Sequence, residues 1–186
     1  MMNKKYVFFI IAMFLCLFVV FKSLEKRIDH NIKMSIIKQN NSISNIDQKQ
    51  DGYSKIFYID KIDFQDTTEL VHSKLGSFGL TENFFIQFES AFQVLESGWY
   101  KFIVYSDDGF RLFIDNKAIS EFRDIRPFSG TEEKIFLNKG LHSLNLFFFQ
   151  GEGNVGIKAF YMPIKQQEIN FIGDSTKYIN FKIKKI

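Results

Sequence analysis

The chain has 186 residues, of which 46% are hydrophobic, which is enough for one globular domain with its own core and some additional segments. The formal net charge is +3, and it drops to +1 when the two lysines of residues 1–5 are set aside, which argues against a nucleic-acid-binding surface. The one cysteine, Cys16, excludes an intrachain disulfide and the redox chemistry that goes with it.

The N-terminus predicts a membrane anchor. Two lysines in residues 1–5 precede an uncharged, almost wholly apolar run that ends before Lys22, and this order is typical of a signal peptide or a signal anchor. No small-x-small cleavage site precedes Lys22, and the residues before Cys16 do not form a lipobox. We therefore expect an uncleaved, single-pass transmembrane helix over 6–22. The lysines place residues 1–5 in the cytoplasm and the rest of the chain outside it, with the inner membrane as a partner.

Residues 23–50 predict a helical or flexible spacer. Its first part carries apolar residues at helical spacing, and its second part, 39–50, is rich in Asn, Ser, Gln and Asp. The apolar residues are Leu24, Ile28, Ile32 and Ile36. A tether is the simplest interpretation, and the apolar stripe leaves open the binding of a partner.

Alternating apolar residues predict a β domain over 51–163. Candidate strands lie at 56–59, 84–88, 118–122, 135–137 and 141–149, separated by short turn signals. Such repeated short strands indicate a β-sandwich or barrel-like, all-β fold. We expect residues 164–186 to add one or two strands to a sheet edge of the same domain.

The strongest local signal is a central hairpin. Apolar residues alternate over 100–104 and again over 110–114, and Asp108-Gly109 between the two runs is a typical turn, in which glycine takes a positive φ at no steric cost. A second acid, Asp107, precedes this turn. Two adjacent carboxylates repel each other unless a cation or hydrogen-bond donors neutralise them, and hard oxygen ligands suit calcium.

Residues 151–156 match the dinucleotide-binding pattern G-x-G-x-x-G. A nucleotide site of this kind needs a helix after the glycines, whereas residues 157–161 alternate like a strand. The pattern therefore does not predict nucleotide binding.

Two blocks of sequence resemble the PA14 domain family, and the resemblance covers roughly 51–163. The first block comprises Gly98-Trp99-Tyr100-Lys101-Phe102, Ser106-Asp107-Asp108-Gly109, Arg111-Leu112 and Ile114-Asp115-Asn116. The second comprises Gly140-Leu141-His142, Leu144, Leu146, Phe148-Phe149-Gln150-Gly151-Glu152-Gly153, Gly156 and Tyr161. The resemblance implies an antiparallel β-sandwich or barrel outside the cytoplasm, in the periplasm of a diderm bacterium or outside the cell in a monoderm.

In the sugar-binding members, two adjacent aspartates joined by a cis peptide hold calcium, a nearby loop completes the coordination, and the sugar hydroxyls bind the same ion. Carried over by residue, this implies Asp107 and Asp108 as metal ligands. Gln150 and Asn154 follow as further metal ligands, and Gly151, Glu152 and Gly153 as ligand-binding loop residues. Phe128, in a charged loop, is the candidate for stacking on a sugar ring. The same Ser-Asp-Asp-Gly motif also occurs in PA14 domains without known ligands, where one aspartate simply caps the turn.

Catalysis is not predicted. His30, His72 and His142 are scattered, and no nucleophile elbow, zinc-ligand spacing or acid/base pair is present. Asp107 and Asp108 are neighbours on one turn, so they cannot flank a glycosidic bond from opposite faces. Two hypotheses remain: a membrane-tethered lectin-like module that binds a glycan through calcium, and a non-catalytic scaffold that docks into an envelope assembly such as a motility or secretion machine.

Overall fold

A computed structural model describes Met13, Phe14 and residues 31–181. Residues 31–181 contain no helix and form two antiparallel sheets. Among the described residues, no helix combines the length and the apolar character that crossing a membrane requires. The predicted anchor over 6–22 lies, apart from Met13 and Phe14, outside the described residues.

Fourteen strands make up the described fold, and several are very short. They are β1 (Ile32–Lys38), β2 (Lys55–Ile59), β3 (Asp63–Thr67), β4 (Val71–His72), β5 (Gly76–Ser77), β6 (Phe84–Val94), β7 (Gly98–Asp107), β8 (Phe110–Ile114), β9 (Lys117–Phe122), β10 (Ser129–Leu137), β11 (Gly140–Gln150), β12 (Val155–Pro163), β13 (Asn170–Phe171) and β14 (Ile179–Asn180).

The strands form two seven-stranded sheets that pack as a sandwich. The first sheet has the order β2-β1-β6-β11-β8-β9, with β14 also paired to β6. The second has the order β10-β7-β12-β3-β4-β5, with β13 also paired to β12. The central hairpin is therefore split: β7 lies in the second sheet and β8 in the first, so the turn at 108–109 crosses from one sheet to the other.

The core lies between the sheets and follows the period-two pattern of the sequence. In β7 the buried residues include Tyr100, Phe102 and Val104, and in β11 they include Leu144, Leu146 and Phe148. Successive side chains of a strand point to opposite faces, so alternate residues of each strand meet in one apolar layer. The all-β fold predicted from this alternation is confirmed, and of the predicted sandwich and barrel the structure has the two-sheet sandwich.

The structure differs from the predicted spacer, because Ile32–Lys38 forms β1, an inner strand between β2 and β6. Ile32, Met34 and Ile36 of β1 are buried. The spacing of four between Ile32 and Ile36 fits a helix, but four is also a multiple of the strand period of two. Met34 lies between them and is also buried, so the buried residues recur every two positions, which is the strand period.

Residues 39–50, which we call the strap, also differ from the predicted flexible spacer. Ile43 and Ile46 of the strap are buried against Phe85 and Phe149. Asp47 accepts a hydrogen bond from Arg111 Nη1 at 2.9 Å and also pairs with Arg123. The strap is thus fixed on the first sheet, next to the start of β8.

The C-terminal extension over 164–186 is described as far as Phe181. Its two strands, β13 and β14, pair with β12 and β6 respectively. Ile172, Ile179 and Phe181 are buried in the core. The segment therefore packs as an integral part of the domain over its described length.

Candidate functional site

The candidate site is the tip of the domain where β7 ends at Asp107 and β8 begins at Phe110. The peptide bond between Asp107 and Asp108 is cis. Gly109 does not have the positive φ that the turn signal predicts. A Cβ at Gly109 would lie 2.5 Å from Phe149 Cε1 and 2.7 Å from the Phe122 carbonyl oxygen, so glycine is required here by close packing.

Asp108 is fully buried and its carboxylate is held by two backbone amides. Oδ1 accepts a hydrogen bond from the Arg126 amide at 3.1 Å, and Oδ2 accepts one from the Gly151 amide at 2.8 Å. Ser106 Oγ donates to the Asp108 carbonyl oxygen at 2.5 Å. Burial raises the pKa of Asp108, and the two amides act against that rise. The loop that contains Arg126 and the loop that begins at Gly151 thereby converge on one side chain.

Asp107 is 9% exposed and is the more open member of the acidic pair. Burial, followed by the charges of Asp108 and Asp66, raises the pKa of Asp107 to about 6, against the opposing effects of the Phe128 amide and Arg126. Two carboxylates in one turn repel each other, and a bound cation would relieve that repulsion.

Gln150 is fully buried and shapes the glycine-rich loop beside the pair. Its Nε2 donates to the carbonyl oxygens of Glu152 at 3.2 Å and Asn154 at 2.8 Å. Its Oε1 is buried and has no hydrogen-bond partner. A buried acceptor without a donor is costly, and this oxygen lacks a partner among the described residues.

The remaining predicted loop residues lie around Gln150. Glu152, Gly153 and Asn154 are exposed, and Gly151 is buried. A Cβ at Gly151 would lie 2.5 Å from the carbonyl oxygen of Ile43, so the strap packs directly behind the loop. The structure thus brings Asp108, Gln150 and the loop together at the tip.

Phe128 is half-buried, and its ring stacks on Tyr105 with the centroids 5.9 Å apart. Phe128 also contributes its backbone amide to Asp107. The predicted stacking residue therefore lies beside the pair, with its ring already in contact with another ring.

Arg126 is the residue of the site that sequence reasoning missed. Its side chain is 8% exposed, Nη2 donates to Ser106 Oγ at 2.8 Å, and Nη1 donates to Thr131 Oγ1 at 2.8 Å. Its guanidinium carbon lies 4.6 Å from the centroid of Phe122 and 5.3 Å from that of Phe110. The only sequence signal was its position in a charged loop, which is typical of a solvated residue.

The donor set fits a hard cation only if neutral oxygens take part. Among the described residues, no group of three or more His, Cys, Asp or Glu side chains is arranged to hold a metal ion. A metal site here would have to combine the carboxylates of Asp107 and Asp108 with the unpartnered Gln150 amide oxygen and backbone carbonyls of 151–154. Calcium accepts mixed sets of this kind, whereas zinc favours histidine and cysteine.

The two described histidines that the sequence left unassigned have structural contacts. His72 is buried, with Nε2 3.0 Å from the Lys61 carbonyl oxygen and Nδ1 accepting the Lys74 amide at 3.2 Å. His142 Nδ1 lies 2.6 Å from Asp115 Oδ2, and Nε2 lies 2.8 Å from the Asn138 carbonyl oxygen. Neither side chain contacts the tip.

No protein-family model and no curated protein matches the chain. Solved structures are similar at the level of the fold. A PA14 sugar-binding domain from an RTX adhesin matches with a TM-score of 0.60 and 14% identity, covering 76% of this chain and 93% of that domain. The epithelial adhesin 9 A domain from Candida glabrata, in complex with Galβ1-3GlcNAc, matches with a TM-score of 0.56 and 12% identity, covering 75% and 84% respectively.

A third similar structure is an anti-sigma factor domain-containing protein, with a TM-score of 0.58 and 18% identity. The alignment covers 76% of this chain and 45% of that protein, so the chain spans less than half of its length. Identities this low establish the fold alone. The described domain has a PA14-like fold, as its sequence motifs predict.

Proposed function

We propose that this protein is a non-catalytic binding module whose tip takes up calcium and, through it, the hydroxyls of a glycan. The carrying observation is the unpartnered, buried Gln150 Oε1 at the end of β11, next to a loop whose first amide, that of Gly151, donates to Asp108. Asp107, Asp108 and Gln150 would hold the ion, with loop carbonyls of 151–154 completing its coordination. The ion would offset the repulsion of the acidic pair and polarise the sugar hydroxyls.

Three observations support a ligand site at this position. The acidic pair is buried, and the pKa of each of its two carboxyl groups is raised. The adjoining loop residues Glu152, Gly153 and Asn154 are exposed, so a ligand can approach them. Phe128, half-buried beside the pair, offers a ligand the exposed part of an apolar ring. The similar fold of a sugar-binding adhesin domain is consistent with this use of the tip.

The proposal includes a location. The apolar run over 6–22 would anchor the chain in the inner membrane, with residues 1–5 in the cytoplasm and the β domain on the periplasmic or extracellular side. Calcium and glycans of the envelope are both accessible there. No role for a nucleotide or a nucleic acid is proposed.

The test is calcium-dependent stabilisation of the full chain. We expect 5 mM calcium, a concentration above the roughly 10⁻⁴–10⁻³ M dissociation constants of extracellular calcium modules, to raise the melting temperature relative to chelator. Asp107→Ala should abolish the difference, while Asp51→Asn, a change at an exposed carboxylate that pairs with Lys49, should leave it intact. Identical melting with calcium and with chelator in the unaltered chain would refute calcium binding. A glycan array probed with and without calcium then tests the sugar.

A scaffold function is the second candidate, and one observation favours it. Trp99 and Phe136 are 58% and 51% exposed at the opposite end of β7 from Asp107, with their rings 5.8 Å apart, edge to face. Exposed aromatic side chains are enriched at protein interfaces. Affinity purification of the full chain from membranes, compared with a Trp99→Ala, Phe136→Ala double variant, tests this. A stoichiometric envelope partner lost in the double variant supports docking, and identical retention in both overturns the assignment of docking to this pair.

A further inference from the structure

Arg126 is a buried cation at the tip that the proposed calcium site does not use as a ligand. Its side chain is 8% exposed, yet its guanidinium forms no ion pair with a described residue; its side-chain hydrogen bonds go to two hydroxyl groups. Burying an arginine away from a carboxylate partner is costly, because the guanidinium stays charged under all ordinary conditions. A buried guanidinium therefore needs an electrostatic reason for its position.

Two hydrogen bonds of Arg126 hold the acidic turn. Its backbone amide donates to Asp108 Oδ1 at 3.1 Å, and its Nη2 donates to Ser106 Oγ at 2.8 Å. Ser106 Oγ in turn donates to the Asp108 carbonyl oxygen. One residue thus fixes both the carboxylate and the carbonyl group of Asp108.

The charge of Arg126 also reaches the other acid. Its Nη2 is hydrogen-bonded to Ser106, the neighbour of Asp107 in the chain, so its positive charge lies near the pair and offsets part of the repulsion between the two carboxylates. The rings of Phe122 and Phe110, with centroids 4.6 and 5.3 Å from the guanidinium carbon, limit its hydration and keep its field from being screened.

We propose that Arg126 is the resident counter-charge of the Asp107–Asp108 pair. It holds the tip in its folded conformation when no cation is bound, and it lowers the affinity of the tip for a divalent cation by repulsion. The second of these effects rests on the proposed calcium function, and the first does not. Together the two effects give a tip that stays folded without calcium and binds calcium weakly, with a dissociation constant of roughly 10⁻⁴–10⁻³ M as in extracellular calcium modules.

The first effect is tested in chelator, without calcium. Urea unfolding of the full chain is measured for Arg126→Gln, Asp107→Asn and the double variant, glutamine being chosen because it can still donate to Ser106 or Thr131. We expect Arg126→Gln to lower the urea midpoint clearly in the unaltered background and less in the Asp107→Asn background, since the charge to be balanced is then gone. If the midpoint shifts of the two single variants add up to that of the double variant, the two residues are not coupled and Arg126 is not the counter-charge of Asp107.

The second effect is tested by calorimetric titration of calcium. We expect Arg126→Gln to bind calcium about tenfold more tightly than the unaltered chain, because one nearby positive charge is removed. Arg126→Lys, which keeps the charge and loses the planar fork, should stay near the unaltered affinity. Arg123→Gln is the matched control, since it removes the same charge from an exposed position three residues away, with a side chain that is 54% exposed.

The outcomes separate the two proposals. Equal calcium affinity in Arg126→Gln and the unaltered chain overturns the repulsion and leaves the calcium function standing. A similar gain in Arg123→Gln also overturns it, because the effect would then come from net charge. If no variant binds calcium, both the calcium function and the repulsion are refuted. The urea measurements on the single and double variants in chelator still test whether Arg126 is a counter-charge.

Discussion

Two turns at opposite ends of β8 look alike in sequence and are built in different ways. Asp108-Gly109 enters β8 and Asp115-Asn116 leaves it. At the second turn both residues have positive φ, 50° and 62°, as a tight hairpin requires. The first turn instead crosses between the sheets, contains a cis peptide and has a glycine that is fixed by close packing. A turn signal therefore predicts that the chain reverses, but not what the turn is for.

The carboxylates of the two turns differ in the same way. Asp115 has a side chain that is 51% exposed, and its Oδ1 accepts the Ser143 amide at 2.9 Å. Burial would raise the pKa of Asp115, but the Ser143 amide and His142 outweigh it and lower the pKa. Asp107 has a raised pKa. The exposed turn thus lowers the pKa of its acid, whereas the buried tip raises the pKa of both of its acids, and a perturbed pair of this kind supports the ligand site proposed above.

The sharpest test of the contrast is substitution of the glycine at the first turn. Gly109→Ala would place a Cβ 2.5 Å from Phe149 Cε1 and 2.7 Å from the Phe122 carbonyl oxygen, a backbone atom that cannot move aside as a flexible side chain can. We expect a loss of about 3–5 kcal/mol in the free energy of unfolding. The control is Asn116→Gly at the second turn, where glycine tolerates φ 62° and the change should stay within about 1 kcal/mol. Urea denaturation measures both, and similar effects at the two turns would contradict the comparison.

The next largest effect is expected at Asp108. Asp108→Ala removes the acceptor of two buried amides, those of Arg126 and Gly151, and should cost about 2–4 kcal/mol. Asp115→Ala, at an exposed carboxylate, should cost less than about 1 kcal/mol. Thermal unfolding followed by circular dichroism gives both values. If Asp115→Ala is less stable than Asp108→Ala, Asp108 is not the carboxylate that contributes more to stability.

The pH dependence of stability should carry opposite signs for the two turns. The folded pKa of Asp107, about 6, lies above its unfolded value, so in chelator its contribution is most favourable at acidic pH and is lost as the pH rises toward and through 6. The total loss is at most about 3 kcal/mol. The lowered pKa of Asp115 contributes stability at neutral pH that is lost as the pH falls. Urea midpoints from pH 2 to 8 should show a flatter decline between pH 4 and 6 for Asp107→Asn, and a shallower loss of stability below about pH 4 for Asp115→Asn.

The smallest effect is expected in the strap, which lies on the side of the first turn and packs behind the 151–154 loop. Asp47→Asn removes the ion pairs with Arg111 and Arg123, both near the surface. We expect a small drop in melting temperature that shrinks as salt is raised, because exposed ion pairs are screened. An unchanged melting temperature at every salt concentration would show that the strap is held by Ile43 and Ile46 rather than by these ion pairs.

The sequence predicted the parts of the fold that follow from periodicity. Alternation in β7, β8 and β11 predicted strands with one buried face, and the structure has them. The motif at 106–109 identified the tip through a family resemblance. The positive φ expected at Gly109 was wrong, because the spacing along the chain carries no information on how close Phe149 and Phe122 come to it.

Other features could not be predicted for comparable reasons. β1 was hidden because Ile32 and Ile36 fit both the helical and the strand period, and its partners, β2 and β6, lie further along the chain. Arg126 was hidden because the burial of a loop arginine depends on rings contributed by other strands, Phe110 and Phe122. Both are consequences of long-range packing, which local patterns do not encode.

The inner position of β1 decides where this domain can be cut. A fragment that starts at residue 51 would keep β2 but remove the strand to which it pairs. It would also open the hydrogen-bonding edge of β6 along Phe84–Glu89 and uncover apolar side chains there. An aromatic edge of this kind invites aggregation, so the smallest soluble piece of this protein begins upstream of Ile32.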